Sequence, residues 1–139
     1  MTPTFEYEKT IAEVLSDAAI PGLQVKVSAD VSEAKMRTLA KPTAIIALGD
    51  ESATGGNYRA VSAEVSILVH LVLRGATPER TSEDQFFREE IFQALHGVQL
   101  PGLTSELAWR STVADYEDNA RMYLMAFTAN RTKHKRPPA

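Results

Sequence analysis

Tyr58-Arg-Ala-Val-Ser-Ala-Glu-Val-Ser-Ile-Leu-Val-His-Leu-Val-Leu-Arg-Gly75 alternates over most of its length. Val61, Ala63, Val65, Ile67, Val69, Leu71 and Leu73 fall on every second position, the period of a β-strand, and the run is longer than a usual strand. The other face reads Ser62, Glu64, Ser66, then Leu68, His70, Val72, polar at first and apolar later. Such a strand buries one side in its own core and offers half of the other side to something else. With no catalytic motif beside it, the pattern suits a component that assembles rather than one that reacts.

Outward from this strand the chain reads as α-β-(α)-β-β-α-β-β. Residues 5–19 place Tyr7, Ile11, Val14, Leu15 and Ala18 on one helical stripe, with Glu6 and Glu8 in the first turn and Pro21-Gly22 as the stop. Leu23, Val25 and Val27 alternate as a short strand. Asp30 or Ser32 is a candidate cap for a short helix reaching about Leu39. Thr43 to Leu48 is a continuous apolar run, the mark of a strand buried on both faces. Residues 50–57 are polar and glycine-bearing and read as a loop, and 75–80 as a turn.

A second helix is expected over 81–96, with Thr81 as N-cap, Phe87, Ile91, Ala94 and Leu95 inward and Gly97 as its end. Leu100 and Leu103 anchor the loop after it. Leu107 to Val113 alternates as a strand, Asp115 to Asn119 is a polar turn, and Arg121 to Asn130 is the last strand. Irregular order of helices and strands disfavours a doubly wound parallel sheet. The expected class is α+β: a mostly antiparallel or mixed sheet of four or five strands with two main helices on one face. Residues 1–131 form one domain in this reading, and 132–139, Thr-Lys-His-Lys-Arg-Pro-Pro-Ala, form a disordered basic tail.

Composition narrows the function. At 139 residues, 44% hydrophobic and 24% charged, the chain resembles ordinary globular domains, and its net charge of −3 gives no general attraction to nucleic acid. It holds no cysteine, so thiolate catalysis and cysteine-bound zinc are excluded. His70, His96 and His134 lack ligand spacing, so no metal or cofactor is expected. Glu89 and Glu90 are adjacent on a helix and diverge by about 100°. Gly55-Gly56 lacks the lysine of a phosphate loop, and no Gly-x-Ser-x-Gly elbow occurs. No catalytic residue is assigned. What exceeds the needs of one sheet face is apolar: Leu68, His70 and Val72 on the long strand, Phe86 and Phe92 on the second helix, Met125 and Phe127 on the last strand. These are the expected contacts with a partner or with other copies.

Order and spacing carry a resemblance. The N-terminal helix, Pro42-Thr-Ala-Ile-Ile-Ala-Leu-Gly-Asp50, the long strand ending in Leu-Val-Leu-Arg74, Ile91-Phe-Gln-Ala-Leu-His-Gly97, Leu100-Pro-Gly-Leu103, Trp109-Arg110 and Tyr123-Leu-Met-Ala-Phe127 follow in sequence. Together they resemble the tail terminator (tail completion) proteins of long-tailed bacteriophages, in particular the Mu-like prophage branch. The resemblance implies a non-enzymatic virion protein assembled in the bacterial cytoplasm. It implies a ring, usually of six copies, that caps the tail tube, stops its polymerisation and offers its other face to head-connector proteins. In contractile tails it meets the sheath as well, and DNA passes through the centre without specific binding. Glu83, Asp84, Glu89, Glu90, Asp115, Glu117 and Asp118 are candidates for an acidic lumen. Two alternatives stay open: another neck or head-tail adaptor, and a small-ligand-binding regulatory domain lined by His70, Arg110 and Tyr116.

Overall fold

The structure is a computed structural model that describes residues 7–32, 39–74, 81–117 and 120–136. Helix α1 spans Tyr7–Asp17 and strand β1 Gln24–Val27, followed by a 3-10 turn at Ser28–Asp30. Strands β2 (Thr43–Gly56) and β3 (Ala60–Arg74) form a long hairpin. Helix α2 (Thr81–Leu95) leads to β4 (Ala108–Glu117) and β5 (Ala120–His134). The sheet order is β1-β2-β3-β5-β4. Only the β1–β2 pairing is parallel; the other three are antiparallel. The fold is α+β, with a five-stranded mixed sheet as expected.

Strand periodicity explains which side is covered. Val65, Ile67, Val69, Leu71 and Leu73 of β3 face the same way as Ala44 and Ile46 of β2 and Tyr123, Met125 and Phe127 of β5. All of them except Val65, itself buried, join one core with Ile11 and Leu15 of α1 and Phe87, Ile91 and Leu95 of α2. Leu100 and Leu103 pin the α2–β4 connection to that core. Burial at this density is the main stabilising force of the fold. Across the sheet, Val31, Ile45 and Val72 make a small second cluster with Leu39 and Met122. Thr43 to Ile46 is therefore buried on both faces, as its unbroken apolar run implies.

Three expectations need correction. Residues 50–57 are not a free loop: β2 continues to Gly56, with register shifts after Leu48 and Ala53, because β3 is long enough to pair with it. Residues 132–134 are not disordered but belong to β5, where Thr132, Lys133 and His134 pair with Ser62, Val61 and Ala60. Strand β4 runs on to Glu117, so the expected turn at 115–119 begins later. In each case the partner strand supplies backbone hydrogen bonds to a polar stretch that hydrophobic patterning does not mark. The 33–38 portion of the expected short helix, the turn at 75–80 and the chain beyond 136 lie outside the described residues.

Beyond the helices the outer halves of β2 and β3 and the end of β5 form a three-stranded arm. Its tip is tightly built. The Asn57 backbone N–H donates to the Ala60 carbonyl at 2.9 Å, and Asn57 Oδ1 accepts from the N–H groups of Arg59 and Ala60 at 2.8 and 3.2 Å. Gly56 enters the turn at φ +121°, where a Cβ would sit 2.4 Å from the Ala60 carbonyl oxygen, so only glycine fits. On one face of the arm Glu51 pairs with Lys133 at 3.0 Å and lies 4.0 Å from Arg131.

Candidate assembly surfaces

Two surfaces stand out, one on each side of the sheet. The first is the sheet face that carries neither α1 nor α2, and no other α-helix among the described residues lies on it. Pairing register lines up Ile45, His70, Leu124 and Val113 in one row across β2, β3, β5 and β4, and Ala47, Leu68, Ala126 and Ser111 in the next. Among the described residues, Val31 and Leu39 roof the end of this face nearest Val72. Val113 is 57% exposed, while Leu68, His70, Leu124 and Ala126 are half-buried by their neighbours. An apolar sheet face of this extent is unusual on an isolated molecule.

His70 sits in the middle of that face. Burial pushes its imidazole below the usual value of 6.5, since the charged form loses hydration there. Its pairing neighbours Ile45 and Leu124 are apolar. Between the lowered folded value and 6.5 the unfolded chain binds more protons, so His70 subtracts stability as pH falls through that window. Urea midpoints measured on both sides of pH 6.5 should drop on the acid side, and His70→Gln should lessen the drop. Equal pH dependence in the variant would count against this assignment.

The second surface is a cleft of about 460 Å³ between α2 and β4, lined by Gln85, Arg88, Glu89, Phe92, Trp109 and Thr112 among others. Phe92 stacks on His96 with ring centroids 4.8 Å apart and meets Trp109 edge-on at 6.1 Å. His96 Nδ1 accepts from the Trp109 backbone N–H at 3.1 Å, and Trp109 Nε1 donates to Thr112 Oγ1 at 3.0 Å. His96 is therefore a structural acceptor that starts β4. Phe86, also on α2, is 42% exposed and packs edge-on to Phe87.

Beneath the cleft lies a polar cluster that sequence reading missed. Arg121 donates from Nε and Nη2 to the two Asp84 oxygens, both at 2.6 Å, and Tyr123 Oη donates to Asp84 Oδ2 at 2.6 Å. All three side chains are almost wholly buried. The hydrogen bond to Asp84 raises the Arg121 guanidinium above its already high value. Arg121 Nη1 has no hydrogen-bond partner. The signal was available: Asp84 shares the inward stripe with Phe87, Ile91 and Leu95, and Arg121 and Tyr123 are two apart on one strand face.

The expected contact residues divide. Leu68 and His70 lie on the open sheet face, Phe92 lines the cleft, and Phe86 is exposed on α2 outside the cleft lining. Val72, Met125 and Phe127 are interior: at 0%, 1% and 0% exposure they have no surface to offer. The doubly apolar last strand explains this, because β5 is flanked by β3 and β4 and has core on its helix side. Of the acidic lumen candidates, Asp84 is buried in its ion pair, Glu89 and Asp115 are exposed, and Glu83 and Glu90 are intermediate. Asp118 and the side chain of Glu117 lie outside the described residues. His70 and Arg110 do not share a cavity with each other: His70 lies in the open row, and Arg110 Nε donates to Thr128 Oγ1 at 2.6 Å. The described residues contain no group of three metal-ligating side chains and no helix long and apolar enough to cross a membrane.

Comparison with known proteins places this arrangement. The family model described as phage tail terminator protein matches residues 1–137. No curated protein matches the chain. Among solved structures, a chain from the "Virion of native gene transfer agent (GTA) particle" superposes with a TM-score of 0.56 at 16% identity, over 86% of this chain and 85% of that one. At that identity the likeness is one of fold.

Proposed function

This chain belongs to the phage tail terminator protein family, and from that premise we propose that it closes into a ring on the last ring of a finished tail tube and halts further polymerisation. It is a structural protein of the phage tail. In the proposed role its opposite surface receives the head-connector proteins, with the sheath as a further neighbour in a contractile tail. Assembly takes place in the cytoplasm of the bacterial host, six copies make the ring, and DNA passes through without specific contacts. The observation that carries the reading is the family match over residues 1–137, which takes in α1, α2 and the five described strands. The virion origin of the similar fold and the apolar face that the described residues leave open support it.

The test is tail length by electron microscopy. Phage made without this protein should carry overlong tubes, and resupplying it should restore the length. Tails of normal length that lack heads would instead identify a connector. Val113→Asp and Leu124→Asp place a charge on the open sheet face. Each should weaken assembly by about tenfold or more while leaving the fold intact by circular dichroism, because an unpaired charge resists desolvation at an interface. Undiminished assembly in both would show that this face stays in solvent.

A further inference from the structure

The described arm segments 52–63 and 131–136 contain Arg59, Arg131, Lys133, Lys135 and Arg136 and no acidic residue, in a chain of net charge −3. Glu51 engages Lys133 and Arg131, which leaves Arg59 with no carboxylate among the described residues and its guanidinium 5.5 Å from the Tyr58 ring centroid. Tyr58 is 77% exposed, the most exposed large apolar side chain described. Helix α2 has the opposite character: with Asp84 taken up by Arg121, it presents Glu83, Glu89 and Glu90 against the single cation Arg88. It borders an aromatic cleft whose walls are Phe92 and Trp109.

We infer that the Tyr58–Arg59 tip of one copy seats in the α2–β4 cleft of the next, so that every subunit carries both halves of the contact that closes the ring. The inference rests on the ring reading above and names its interface. Tyr58 meets Phe92 and Trp109 as an aromatic pair, and Arg59 approaches Glu89, which is exposed on the cleft wall. A contact between two different patches is heterologous, the kind that a cyclic assembly requires.

Three features favour a second copy over any other occupant. Charge complementarity runs between two parts of the same chain. The tip cannot reach its own cleft: His134, beside the tip, stands seven residues past Phe127 along β5, a span of about 23 Å on a rigid strand. The tip is also pre-formed, since Lys135 N–H donates to the Arg59 carbonyl at 2.8 Å and fastens it to the end of β5, beside the Asn57 bonds and the Gly56 turn. Little ordering entropy is then lost on docking.

The cysteine-free sequence gives a clean test. Gly55→Cys, beside the tip where a Cβ meets nothing within 4 Å, leaves Tyr58 and Arg59 in place. Gly55→Cys and Gln85→Cys proteins, mixed under a mild oxidant with and without tail tube protein, should form an intermolecular disulfide. A chain carrying both substitutions should give a ladder of species on a non-reducing gel. Gly55→Cys mixed with Ser16→Cys, on the exposed side of α1, serves as the background. Cross-linking of the first pair no greater than that background, in either mixture, overturns the inference. Arg59→Glu should weaken assembly by tenfold or more, and adding Glu89→Arg should restore it; an Arg59→Glu chain that assembles as well as the wild type overturns it too. Tail length is read separately. A chain that limits tails without this cross-link sinks the tip-in-cleft contact alone, whereas failure to limit tails sinks the function itself.

Discussion

Asp84→Ala should destabilise the protein by about 3–5 kcal/mol, measured as the loss in urea unfolding free energy. The substitution strands a buried guanidinium that holds two bonds to the carboxylate, and it removes the acceptor of the Tyr123 hydroxyl. A guanidinium cannot shed its charge at any ordinary pH, so it must be hydrated or the structure around it must open. Its Nη1 has no hydrogen-bond partner even in the intact cluster. The cluster therefore depends on a single carboxylate. Replacing all three groups with apolar ones, as Asp84→Leu, Arg121→Met and Tyr123→Phe, should recover most of the loss, because no charge is left uncompensated. If Asp84→Ala costs under about 1 kcal/mol, water reaches Arg121 and the cluster is not buried in solution.

Phe127→Ala should cost about 3–5 kcal/mol, since the ring is fully buried between the sheet and the helices and its removal leaves a cavity. Leu124→Ser, three residues earlier on the opposite face, should change stability by about 1 kcal/mol or less. Both variants can be read by chemical denaturation. Reversed magnitudes would mean that the helix layer does not cover β5 as described. The contrast isolates what matters for assembly: the outward side of β5 is available to partners, and the inward side is not.

That contrast also shows where sequence reading reached its limit. The alternation from Val61 to Leu73 located β3 and its inward face correctly, and the run from Thr43 to Leu48 located a strand buried on both sides. Helices α1 and α2 followed from their stripes and stops. Periodicity assigns faces within a strand but says nothing of strand order. Without knowing that β5 lies inside the sheet, Met125 and Phe127 look like surplus apolar surface, although they are core. Polar strand ends were missed for a related reason. Residues 50–56 and 132–134 pair through backbone groups, which every sequence possesses. The Asp84 cluster is hidden in the sequence because its members are far apart in the chain, and Asp84 reads there as one more acidic lumen candidate. Leu68 and His70, by contrast, lie on the sheet face away from α1 and α2, Phe92 lines the cleft, and Phe86 is exposed on α2.

The strand order has a bearing on biogenesis. β5 leaves the ribosome after the other four described strands, yet β3 and β4 are joined in the sheet through it. A nascent polypeptide that has reached β4 can hold that strand at its start alone, through His96 and Phe92, and β3 shows a bare edge along fifteen residues. Folding must therefore wait for translation to pass His134, and the β4–β5 ribbon then closes the gap in one late step of high contact order. An interrupted translation product lacks the element that completes the sheet, and its open edge makes it a substrate for quality control rather than a defective building block.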